Sequence, residues 1–182
     1  NRDMAVAVRK FREAAEAGSA DAAAELGFLN LSGDDDASLL VDVEEGVRWL
    51  KVAADKDHPE ALHAMGMFHK KGQVPAVERD LHKAVKHFQR AATLGHVPSI
   101  YQFGVCKANG EGTKKELQWA IQCFAEAAEK GDLDAIHDLA MCFKLGLAGI
   151  PKDAKMAVKW FRKGADAGSV ECQNQMGQCY LR

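Results

Sequence analysis

A fivefold internal repeat governs what this chain can become. The strings EAAEAG (13–18), VAADKD (52–57), RAATLG (90–95), EAAEKG (126–131) and KGADAG (163–168) recur, and their alanines Ala15, Ala54, Ala92, Ala128 and Ala165 lie 39, 38, 36 and 37 residues apart. A second landmark, a small residue after an apolar one at Gly27, Gly66, Gly104, Ala140 and Gly177, keeps the same four intervals. So does an apolar residue four before each alanine: Phe11, Leu50, Phe88, Phe124 and Phe161. Only the connections change length, from Gly33, Gly72, Gly110 and Gly146 to Asp42, Asp80, Glu116 and Asp153, spanning 9, 8, 6 and 7 residues. Locked registers at this period mean stacked copies of one supersecondary element, each burying its apolar face against neighbours.

Each copy reads as two helices. The second helix opens at an acid (Asp3, Asp42, Asp80, Glu116 or Asp153), where free N–H groups and the helix dipole favour negative charge. It carries apolar residues every fourth position, as in Ala84, Phe88 and Ala92, and stops at Gly18, Gly95, Gly131 or Gly168, with Asp57 in that place once. The first helix follows a very short link, with Ser19, His58, His96, Asp132 and Ser169 in the cap slot. Small residues at Ala22, Ala61, Ser99, Ala135 and Cys172, and at the glycine landmarks, let helices approach closely.

This arrangement resembles the Sel1-like repeat family, relatives of the tetratricopeptide repeats. The pattern is LG, a glycine-containing turn, D, KA, WF or HF, then AA and G, and LAMCFKLGLAGIPKDAKMAVKWFRKGADAG (139–168) matches it most fully. The resemblance covers essentially the entire chain. It implies an all-α, right-handed superhelical solenoid of antiparallel helix pairs, about ten helices in one domain over residues 1–182, acting as an adaptor for other proteins. The chain opens on a second helix, closes on a first helix and starts at Asn1, so it is expected to be an excerpt of a longer protein whose ends meet further repeats or self-associate. One departure stands out: the family's usual aromatic three after the landmark glycine reads Asn30, His69, Lys107, Phe143 and Tyr180. Looser packing of the earlier copies, or another use of that slot, is expected.

Composition narrows the functional classes. A formal charge of −2 leaves no basic excess for a phosphate backbone, so nucleic acid is not expected as a partner. No apolar run approaches the roughly 20 residues of a membrane-spanning helix. NGEGTKK (109–115) looks like a phosphate cradle, but Thr113 precedes Lys114 and a helix, not a strand, leads in, so it is expected to be a turn. Five cysteines show no CxxC spacing. Cys106, Cys142 and Cys179 occupy the slot held elsewhere by Leu29 and Phe68, which is core, and buried free cysteine behaves as a small hydrophobe. Some secreted bacterial members of the family clip helix pairs with cysteines at the doublet alanine and seven residues later; Cys172 matches the second place but Ala165 the first, which points to the cytoplasm or another reducing compartment. The histidines form no HExxH, and His82 and His87 are poorly spaced for one face. No metal, cofactor or catalytic residue is expected.

A partner site is read from the first helices. Positions three before and one after each landmark point away from the core face: Ala24 and Phe28, His63 and Met67, Tyr101 and Val105, His137 and Met141, Asn174 and Gln178. The family resemblance places these on a concave surface. An uncharged stripe with methionines and a tyrosine suits an apolar or amphipathic peptide or protein segment. The opposing expectation is that curvature buries the stripe between adjacent first helices. Trp119, an aromatic the repeat does not require, is a second candidate contact. Lys70, Lys71, Lys107, Lys144 and Arg182 are expected to stabilise first-helix C-termini. The function expected is a non-catalytic interaction scaffold, with a regulatory or targeting domain of a larger enzyme or complex as the alternative and an RNA-binding helical repeat as the third reading.

Overall fold

Among the described residues helix follows helix: α1 (Arg2–Glu16), α2 (Ala20–Ser32), α3 (Val43–Asp55), α4 (Pro59–Lys71), α5 (Leu81–Thr93), α6 (Val97–Asn109), α7 (Leu117–Glu129), α8 (Leu133–Leu145), α9 (Ala154–Asp166) and α10 (Val170–Tyr180). This computed structural model describes residues 2–33, 41–72, 74, 77–147 and 149–181, apart from the side chains of 2 and 3. The expected cap at Asp3, Arg182 and, within the connections, residues 34–40, 73, 75, 76 and 148 lie outside the described residues. The chain divides into two compact units, residues 1–96 (α1–α5) and 97–182 (α6–α10).

Local chemistry explains the even helix lengths. Asp42, Asp80 and Asp153 accept the N–H of Glu45, Lys83 and Met156 at 3.0, 3.0 and 2.9 Å, as N-caps do. Ser19, His58, Asp132 and Ser169 do the same at the first helices, accepting from Ala22, Ala61, Ala135 and Cys172. Glu116 departs from the expectation. It holds the N-cap position of α7 without a side-chain cap bond, because its longer side chain reaches the Lys107 ammonium at 2.6 Å instead.

One closing device recurs at every second-helix end. Gly18, Gly95, Gly131 and Gly168 adopt positive φ, and Asp57 does so at 64°, the one non-glycine residue among those described. The following amide then bonds back into the last turn: Ser19 to Ala14, His58 to Ala53, His96 to Ala91, Asp132 to Ala127 and Ser169 to Gly164, at 2.9–3.1 Å. That is the Schellman pattern. Four of these returning residues also cap the next helix through their side chains, so the two-residue link closes one helix and starts another.

Connections of unequal length are clamped in a common way. The N–H groups of Asp42, Asp80, Glu116 and Asp153 donate to the carbonyls of Asn30, His69, Lys107 and Phe143 at 2.8, 2.9, 2.8 and 2.9 Å. The slot three after the landmark therefore has a backbone duty independent of its side chain, which is why Asn30, His69 and Lys107 are tolerated there. Asn30 is buried and donates to the Leu26 carbonyl at 2.7 Å.

The core of each unit lies between the helices of each pair and between second helices and the next first helix. A Cβ on Gly66 would come within 2.6 Å of the Phe88 ring, and one on Gly27 within 2.7 Å of Leu50. The landmark glycines thus admit the large residue of their own second helix. Phe88, Phe161, Leu26, Leu50 and Leu62 are completely enclosed. Cys106, Cys123, Cys142 and Cys172 are buried free thiols, while Cys179 is partly exposed.

Candidate functional site

The stripe read from the first helices is neither fully open nor buried. In residues 1–96, Ala24 is enclosed at 1% exposure, so it is no part of any surface. Phe28 is 37% exposed, while His63 and Met67 are half-buried. In residues 97–182, Tyr101, Val105, His137 and Met141 are half-buried, and Asn174 and Gln178 are exposed. The intermediate burial has one repeated cause. Each ring three before the landmark leans on the phenylalanine of its own second helix: His63 on Phe88 at 5.6 Å, Tyr101 on Phe124 at 5.7 Å, His137 on Phe161 at 6.0 Å, all tilted by 42–53°. Tilted packing of this kind suits the quadrupoles of aromatic faces and edges.

In the second unit this geometry leaves a cavity of about 310 Å³ between α6, α7 and α8. Its walls are apolar: Val105 and Ala108 from α6, Leu117, Ile121 and Phe124 from α7, Met141 and Cys142 from α8, with Leu147 at the edge. Leu117 and Leu147 are more than 40% exposed, so the apolar wall continues to the mouth. At the polar end the Tyr101 hydroxyl donates to Asp138 Oδ2 at 3.1 Å, and Asp138 Oδ1 lies 3.2 Å from His137 Nδ1. Burial, then the Asp138 carboxylate, drives the Tyr101 hydroxyl pKa well above its usual range, so it stays a donor. Burial likewise raises the Cys142 thiol, with Asp138 adding to it.

Three of the expected contact residues, Tyr101, Val105 and Met141, meet in this cavity. His137 stands beside it through Asp138, whereas Asn174 and Gln178 do not line it. Sequence reasoning missed Asp138, Leu117, Ile121 and Leu147. They come from a helix flank, a second helix and a connection, and a one-helix periodicity carries no signal for a hollow bounded by three helices.

Trp119 is 52% exposed. The Lys107 ammonium lies 5.8 Å from its ring centre and 5.6 Å from that of Phe103 while bonded to Glu116. Lys107 stands in the last turn of α6, where a cation suits the helix dipole, and its ammonium is also engaged by a carboxylate and two aromatic faces. Lys144 is likewise directed to Gln175 Oε1 at 2.7 Å. Lys70 and Lys71 stand in the last turn of α4 and Lys144 in that of α8, and further cations reach helix ends from neighbouring elements: Arg79 to the Lys70 carbonyl, Arg90 to the Asp55 carbonyl and the Asp57 carboxylate, and Lys163 to the Ala128 carbonyl.

In the first unit the histidines gather around α4. His63 lies 5.0 Å from His96, and His69 stacks on His87 at 5.5 Å with rings nearly parallel. Burial, then His96, pushes the His63 pKa down to about 4, and burial also lowers His87 and His96. A cavity of about 400 Å³ between α3, α4 and α5 is lined by His69, His87, Lys51, Lys83, Asp55 and Glu78, so its charges balance. Among the described residues no group of three or more His, Cys, Asp or Glu side chains is placed to hold a metal ion. No helix among them is long and apolar enough to cross a membrane. The segment NGEGTKK is a turn, with Gly110 and Gly112 at positive φ and the Gly110 and Glu111 amides bonded to the Cys106 carbonyl.

Similarity to known proteins agrees with this architecture. The chain is 31% identical over 118 residues to chitin synthase regulatory factor 3 of Schizosaccharomyces pombe and, over the same length, to DAP3-binding cell death enhancer 1 of Rattus norvegicus; each alignment covers 65% of this chain. The chain spans only 13% and 22% of those relatives. Among solved structures, a Sel1 repeat protein from Oxalobacter formigenes superposes with a TM-score of 0.86 at 29% identity, covering 96% of this chain and 69% of that one. The c5321 protective antigen of uropathogenic Escherichia coli, described as displaying an SLR fold, gives 0.86 at 27%, covering 95% and 36%. The Sel1 repeat pattern itself matches residues 20–58, 59–96, 97–132, 133–169 and 170–182, each match opening at the start of a first helix. With the repeat, the helix pairs and the solved relatives in agreement, the chain belongs to the Sel1 repeat family.

Proposed function

We propose that this chain is a non-catalytic protein-interaction scaffold that holds an apolar segment of a partner protein in the cavity between α6, α7 and α8. The observation that carries this reading is the cavity itself, an apolar hollow with an apolar mouth and one hydrogen-bonded polar corner at Tyr101 and Asp138. Small hollows lined this way, with a few placed polar groups, are where ligand side chains anchor. The balanced net charge supports a protein partner over nucleic acid.

A regulatory role within a larger assembly is the second reading. It is favoured by relatives named as a chitin synthase regulatory factor and a DAP3-binding enhancer, both much longer than this chain.

Affinity purification with the 182-residue chain beside Met141→Asp tests the scaffold reading. A carboxylate placed in the cavity should abolish recovery of at least one protein that the parent retains, with the circular dichroism unchanged. Undiminished recovery of every partner by a folded Met141→Asp variant sinks the reading.

A further inference from the structure

The charged side chain lining the same cavity is an aspartate, Asp138. Asp138 lines the wall, and Asp132 and Asp134 precede it at the N-terminal end of α8. Among the described residues none of the three forms an ion pair with a lysine or arginine; the contact to Asp138 from a basic ring is His137 at 3.2 Å. Four lysines of this unit are directed elsewhere: Lys107 to Glu116, Lys144 to Gln175, Lys163 to the Ala128 carbonyl and Lys130 to Glu126.

The negative field is felt by its neighbours. After burial, the Asp138, Asp134 and Asp132 carboxylates each help to raise the Tyr101 hydroxyl, and Asp134 and Asp138 help to raise Asp132. Asp132 is occupied as the cap of α8, accepting from Ala135 at 2.8 Å, and Asp134 sits in the first turn where the dipole favours it. Asp138, in the middle of the helix, has neither role. Its side chain is 38% exposed, with one oxygen accepting from Tyr101.

We infer that the segment taken by this cavity is basic as well as apolar, an aliphatic or aromatic side chain filling the hollow while an adjacent lysine or arginine pairs with Asp138. This rests on the reading of the cavity as a docking site. At about 310 Å³ the hollow has the size of the smallest ligand pockets, enough for an anchoring side chain rather than a helix face. An acidic segment is repelled by the three carboxylates. A neutral one leaves Asp138 without a charged partner, and complementary charge at the edge of an apolar anchor selects between them.

The test uses a random-peptide display library panned on the 182-residue chain, with the best selected peptide synthesised and titrated against the parent, Asp134→Asn/Asp138→Asn and Met141→Asp. Asparagine at 138 keeps an acceptor for Tyr101, so the double variant removes charge without removing the hydrogen bond. Selected peptides are expected to place Leu, Ile, Met or Phe beside Lys or Arg. The double variant should bind about tenfold more weakly, the effect of one partly exposed charge pair, and Met141→Asp should not bind. Neutral or acidic selected peptides, or equal affinity for the double variant, overturn the basic-segment inference while loss of binding in Met141→Asp leaves the docking site standing. Binding that survives in Met141→Asp, or a library that yields no binder, overturns the docking site and the inference with it.

Discussion

Tyr101 on α6 donates its hydroxyl to Asp138 on α8 across 3.1 Å, joining two successive first helices at the edge of the cavity. The ring of Tyr101 is held independently against Phe124. Removing the hydroxyl should therefore keep the packing and lose only the bond. Tyr101→Phe is expected to cost about 1 kcal/mol in urea denaturation, a typical hydrogen-bond contribution, with Asp138 left free to hydrate at its exposed face. Tyr101→Ala should cost more, about 3 kcal/mol, because it also removes the ring from Phe124 and leaves a void.

Gly66 faces the Phe88 ring so closely that a methyl group has no place, with Cβ at 2.6 Å from the ring edge and Phe88 fully enclosed. Helix propensity favours alanine over glycine by about 1 kcal/mol. Overpacking a tight core costs about 1–3 kcal/mol. Steric conflict is the larger effect here because the phenylalanine cannot retreat, so Gly66→Ala should lower the urea midpoint. A midpoint equal to or above the parent's would show that the α4–α5 contact is softer than described.

Acid should weaken the first unit through its histidines. His63 has a folded-state pKa near 4 against an ordinary 6.5, so the unfolded chain takes up the proton first. Its contribution is complete above about pH 6.5 and is lost as pH falls from there towards 4. His87 and His96 are shifted in the same direction. Urea midpoints measured from about pH 7 to about pH 4 should fall, and His63→Tyr, which copies the residue at position 101, should flatten part of that slope. An unchanged slope in the variant would exclude His63 as a source.

Asp57 occupies the left-handed position that glycine holds at the other second-helix ends, with φ of 64°. Its carboxylate meets Arg90 in an exposed pair, which holds the Asp57 pKa below its usual range. An exposed pair contributes little, whereas a side chain at positive φ is strained. Thermal melting is expected to rank Asp57→Gly at or above the parent and Asp57→Ala clearly below it. If alanine matches glycine, backbone conformation does not govern this link.

The repeat, the ten helices, the apolar core slots and the turn at NGEGTKK were legible in the residues, because they depend on interactions only a few positions apart. Asp42 reaching the Glu45 amide, or Ser19 closing one helix and capping the next, is encoded within five residues and recurs wherever the same letters do. Glu116 shows the limit: the letter was right for a cap, but Lys107, nine residues earlier, claimed the carboxylate. Which face of a first helix stays open was beyond a helical period. His63, Tyr101 and His137 are half-covered by phenylalanines more than twenty residues along the chain, and Ala24 is covered completely. The cavity was less legible still, since α6, α7 and α8 each supply only part of its wall and Asp138 lies off the stripe. Local hydrogen bonding thus determined the elements and their order from sequence alone, while the shape and charge of the surface that meets a partner were decided by packing between helices that the chain brings together only on folding.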